Sequence, residues 1–124
     1  MLPKGAFEYA SASWHYDFQH ERCPHDATFI CIRADSDRTQ HDGTEPRDSC
    51  EVRLLGNRHT GILSITYHYP SRLILKKDSR HEYGDLLIDE VSLSSKGSVL
   101  HELVFVNAKI LIESEDITVK WQSV

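Results

Sequence analysis

Residues 84–122 constrain the fold of this chain more than any other stretch. They read GDLLIDEVSL, SSKGS, VLHELVFV, NA, KILIES, ED and ITVKWQ, four short runs rich in valine, isoleucine and leucine with turn residues between them. Such runs read as strands. In Ile117–Thr118–Val119–Lys120–Trp121–Gln122 apolar and polar residues alternate, as in a strand with one buried face, so Trp121 is expected in the core. Residues 99–106 are apolar on both faces, which suits a central strand. Asn107–Ala108 and Glu115–Asp116 leave room only for tight turns, so each strand is expected to pair with its sequence neighbour.

The rest of the chain extends this pattern. Residues 27–33 (ATFICIR), 50–56, 63–69 and 72–77 add four more strand-like runs. About eight strands with no helical period predict an all-β, antiparallel meander closing into a sandwich or a partly closed barrel. With 124 residues it forms one all-β domain, 1–124, which opens with an irregular aromatic-rich segment, 1–24, and is interrupted by a long polar loop, 34–49.

No apolar run reaches the length of a membrane span, and the first residues lack the apolar core of a secretory signal. Three irregularly spaced cysteines fit a reducing cytoplasm. The net charge of −5 has no basic cluster set against it. It speaks against nucleic acid as a partner and suits a protein with a basic surface. A strand edge could also join copies of the chain into a homo-oligomer.

Several residue groups could carry chemistry. His20, Cys23 and His25 form H-x-x-C-P-H, but no distant second pair completes a zinc set, so neither a metal nor another cofactor is expected. Asp89–Glu90 and His101–Glu102 lie on neighbouring strands, where cross-strand charge pairing accounts for them without catalysis. Asp85 and Asp89 fall on one face of a regular strand, about 13 Å apart, too far for a carboxylate dyad. No catalytic residue is assigned. The candidate binding residues are His25, Asp26, Asp85, Asp89, Glu90, His101 and Glu102.

His25–Asp26 before the first strand, YGDLLIDEV at 83–91, HELVF at 101–105 and the closing strand through Trp121 together resemble a set of small bacterial proteins. Those carry an H-D-[AS] start and a G-D-L-L-x-x-E-V…H-E-[IL]-x-F ending, and some are encoded as immunity partners in polymorphic-toxin systems. The resemblance implies a bacterial cytoplasmic domain and a non-enzymatic, immunity-like role through a protein partner. Two alternatives stand beside it. One is a small-ligand binder with aromatic walls from Trp14, Tyr67, Tyr69 and Tyr83; the other is a hydrolase using His25 and Asp26.

Overall fold

The computed structural model describes residues 1–36 and 48–124. The alternation of the sequence becomes eight antiparallel strands: β1 (Thr28–Ser36), β2 (Asp48–Leu55), β3 (Gly61–His68), β4 (Arg72–Lys77), β5 (Leu86–Leu93), β6 (Val99–Phe105), β7 (Ala108–Ser114) and β8 (Asp116–Ser123). They form two four-stranded sheets, ordered β1-β2-β3-β8 and β4-β7-β6-β5, in a sandwich-like arrangement that does not close into a barrel. Apart from its two ends, the long loop expected at 34–49 lies outside the described residues.

In β3, Leu63, Ile65 and Tyr67 point inward, and in β6 Val99, His101, Leu103 and Phe105 do the same. Both strands are central in their sheets, so their outer faces are half-covered as well. The two inner faces share one core with β7 and β8.

Pairing between sequence neighbours holds for β5–β6–β7 and fails for β7–β8. After β7 the chain leaves that sheet at Glu115, so that β8 pairs with β3 in the other sheet, while β4 pairs with β7. The reason lies in a shared corner. β3 and β4 run on as one bent strand through Tyr69–Ser71, and β7 and β8 do so through Glu115. One long ladder thus folds over from the first sheet into the second. Tyr69 takes φ +52° at this bend and is exposed, so it does not continue the inward face of Leu63 and Tyr67 as the alternation implied.

Two further corrections concern the ends of the chain. The N-terminal segment is not irregular throughout, because residues Lys4–Ser11 form a helix, α1. Its first free N–H groups are satisfied from the far end of the chain: Asp116 accepts from Gly5 N (3.1 Å) and Ala6 N (2.8 Å). A carboxylate there also meets the positive end of the helix dipole. α1 buries Gly5, Ala6 and Tyr9 and packs against β8. Trp121 is half-buried, not fully so. Its ring lies over Gly56 and Gly61, where an added Cβ would come within 2.7 and 2.3 Å of it, and Arg22 sits on its face at 5.7 Å.

Candidate functional site

A β-bulge at Leu87 sets the character of β5. Leu86 pairs with Phe105, but the next paired residue is Ile88, opposite Val104. The extra residue shifts the inward phase, so Leu86 and Asp89 both face the core while Leu87 and Ile88 face out, 46 % and 49 % exposed. Asp85 and Asp89 therefore do not share a face: Asp85 is exposed and borders another depression, beside Tyr83 and Thr28.

Inside the core, Asp89 collects partners from three segments. Nε2 of His101, on β6, donates to Oδ1 at 2.7 Å. Nδ1 of the same ring lies 2.6 Å from the hydroxyl of Tyr67, on β3 of the opposite sheet. With Nε2 as donor, Nδ1 accepts the tyrosine proton and every polar atom of the pair is satisfied. The Tyr9 hydroxyl, from α1, donates to Oδ2. His15, in the loop after α1, places Nε2 3.1 Å from Oδ1, a close electrostatic contact without the alignment of a hydrogen bond. The other His15 nitrogen lies 3.3 Å from the Ala10 carbonyl. The side chains of Tyr9, His15, Tyr67 and His101 are all essentially inaccessible.

Burial alone would push the Asp89 carboxyl up, because it penalises the charged form. The imidazoles of His101 and His15 outweigh that and hold it well below the usual carboxylate range. Burial, followed by the Asp89 charge, holds the Tyr9 and Tyr67 hydroxyls protonated, with pKa values well above the ordinary one.

The same strand borders a mostly apolar surface depression. A pocket of about 170 Å³ opens between the loop after α1 and the bulge. Tyr16, Phe18 and His25 supply rings, Pro24, Leu87 and Ile88 aliphatic walls, and His15 and Asp89 lie at its base. Phe18 stacks on His25 with centroids 4.1 Å apart and planes at 14°, and Asp26 contacts His25 Nδ1 at 3.2 Å. The Tyr16 hydroxyl reaches the Asp89 carbonyl at 3.4 Å.

The sequence-derived candidates thus separate into four places. Asp89 and His101 meet in the core as diagonal cross-strand neighbours, His101 being directly opposite Val91. Glu90 and Glu102 stand directly opposite one another on the outer face, where Lys109 contacts Glu102 at 3.2 Å. His25 and Asp26 meet at the pocket. Asp85 lies apart. The polar patch expected from all four residues of β5 and β6 is split by the sheet into an inner pair and an outer pair.

Reasoning from sequence missed Tyr9, His15, Tyr16 and Phe18. The only available signal was their aromatic density within residues 9–18. The aromatic wall proposed for a small ligand does not assemble. Tyr67 is in the core, Tyr83 stacks on Phe29 at 3.8 Å, Tyr69 is at the sheet corner and Trp14 packs beside Tyr9. The thiol of Cys23 donates to the His15 carbonyl at 3.1 Å, and among the described residues no cluster of histidine, cysteine or carboxylate side chains is arranged to hold a metal. No helix among the described residues is long and apolar enough to cross a membrane. Compared with protein-family models, with curated proteins and with solved structures, the chain matches none.

Proposed function

We propose that the protein acts by binding a basic protein partner through the face around the β5 bulge. The observation that carries this reading is the concentration of exposed apolar side chains on an acidic edge. Tyr16 (64 % exposed), Phe18 (60 %), Leu87 and Ile88 surround one small pocket, with Asp17, Asp26 and Glu90 beside them in the chain. Aromatic and aliphatic anchors in a polar rim are the anatomy of a protein interface. The pocket has room for one partner side chain and is well below the volume of an ordinary small-molecule site.

The buried Tyr–His–Asp group does not favour an enzyme. His101 has both ring nitrogens engaged and no exposed side-chain surface, so a substrate has no access to it. The resemblance to immunity-like bacterial proteins supports the same reading, with a cytoplasmic role and a cationic partner such as a nuclease domain.

The test is recovery of a partner by the tagged protein from cells of its source. A protein retained by the wild type, lost with Phe18→Asp and with Ile88→Asp, and bound more slowly as salt rises is the expected result. Partners held equally by wild type and both variants would remove the proposal.

A further inference from the structure

The pocket beside the bulge has the chemistry of a receptor for one particular side chain. Its walls are flat rings and aliphatic stems, which suit a long side chain with a planar head. Acidic residues adjoin its lining in the chain: Asp17 beside Tyr16 and Phe18, Asp26 beside His25, and Glu90 after Asp89. Glu90 stands directly across from Glu102, an arrangement of like charges that costs stability, and Lys109 relieves only Glu102. Glu90 has no ion-pair partner among the described residues. Asp26 sits against His25, and Asp17 lies between Tyr16 and Phe18 in the chain. Within residues 14–26 the only lysine or arginine is Arg22, which is drawn away over Trp121, and residues 85–93 contain none; Arg58 reaches this loop at the Gln19 carbonyl, which it caps at 2.5 Å.

Asp89 and Glu90 lie close enough to the Tyr16 hydroxyl for their charges to add to burial, the larger cause, in raising its pKa.

From this geometry we infer that the pocket receives an arginine side chain of the partner, its stem along Leu87 and Ile88 and its guanidinium between the Tyr16 and Phe18 rings and the acidic rim. A guanidinium stacks on aromatic faces and keeps its charge at any physiological pH. Lysine shares the charge but not the plane, and an apolar residue would leave Glu90 unneutralised.

The inference rests on the partner reading, but its test needs no partner. The protein, labelled with nitrogen-15, is titrated with n-butylguanidinium and separately with n-butylurea, a neutral molecule of the same shape. Saturable shifts at residues 15–18, 25 and 87–90 are expected with the guanidinium, and binding at least about fivefold weaker with the urea. In an Asp26→Asn, Glu90→Gln double variant the difference between the two probes should disappear. Both substitutions are at exposed positions, and unchanged shifts elsewhere would verify the fold.

Equal binding of the two probes, shifts mapping to another face, or no saturation would each overturn the arginine assignment. If a partner is nevertheless lost with Ile88→Asp, the interface stands and only the arginine assignment fails. If the guanidinium binds but no partner depends on this face, the pocket stands and the partner reading fails.

Discussion

β5 and β4 are the two edges of one sheet, and each presents leucines to solvent, yet they are treated in opposite ways. β5 is covered and acidic. Leu86 exchanges hydrogen bonds with Ala27 (3.0 Å) and Asp26 (2.8 Å), the Tyr16 hydroxyl takes the Asp89 carbonyl, and Asp89 anchors α1 and its loop from within. β4 is bare and basic. Leu73 and Leu75 pair with the buried Ile112 and Ile110 and so lie on the inner side, yet they remain 46 % and 42 % exposed because nothing among the described residues covers them. Arg72, Lys76 and Lys77 surround them. Cationic side chains on an exposed edge are a usual defence against unwanted strand pairing. A covered acidic edge and a bare basic edge thus require different residues, and exposed leucine alone does not distinguish them.

The largest expected effect lies in what anchors the covered edge. Asp89→Ala leaves His101, His15 and Tyr9 facing an empty site and should cost about 3–5 kcal/mol in chemical denaturation. Leu75→Ala, at the bare edge, should cost about 1 kcal/mol or less, since little burial is lost. Similar losses at the two positions would mean that the buried carboxylate is not the anchor described here.

Next comes pH. The folded-state pKa of Asp89 is depressed, so its contribution is fully present above the unfolded value of about 3.9 and is lost as pH falls through the folded value. The stability gap between wild type and Asp89→Asn should therefore narrow steadily between about pH 5 and pH 2. A gap independent of pH would show that the charge of Asp89 contributes nothing. Leu73→Ala, as the control on β4, should show a constant gap.

A third effect tests the cover itself. A Cβ on Gly5 would lie 2.0 Å from the Ile117 carbonyl, so Gly5→Ala must push α1 off β8. Overpacking of this kind costs about 1–3 kcal/mol. The diagnostic result is regional: amide exchange should accelerate along β5 and leave β4 unchanged. Uniform acceleration would mean that the helix supports the whole sandwich and not one edge.

Much of the sandwich was legible because half-buried strands impose a period of two on residues such as Val52, Leu54, Leu63 and Ile65. The site was far less so. GDLLIDEV read as a regular strand puts Asp85 beside Asp89 on one face, and no residue type marks Leu87 as the bulge that separates them. α1 was invisible because its cap, Asp116, lies 110 residues from Ala6. The crossing of β8 to the other sheet was hidden too, since a hairpin and a sheet-switching corner place the same demands on Glu115–Asp116. Local pattern records which face a strand buries. It does not record what a distant segment lays over that face.

The smallest effect concerns the bare edge, where oligomer formation through a strand was anticipated. If two copies paired antiparallel about Ile74, Leu73 would face Leu75 of the other copy, which is favourable, but Arg72 would face Lys76 twice over. Each like-charge contact opposes the pairing by a few tenths of a kcal/mol up to about 1 kcal/mol. Lys76→Glu reverses both contacts at once and removes nothing from the core, as Lys76 is exposed. Its folding stability should stay within about 0.5 kcal/mol of wild type. In sedimentation velocity the wild type should remain a monomer at β4, whereas the variant should show a concentration-dependent dimer that dissociates as salt rises. Dimers of wild type and variant in equal amounts would mean that copies meet elsewhere and that the lysines of β4 guard nothing.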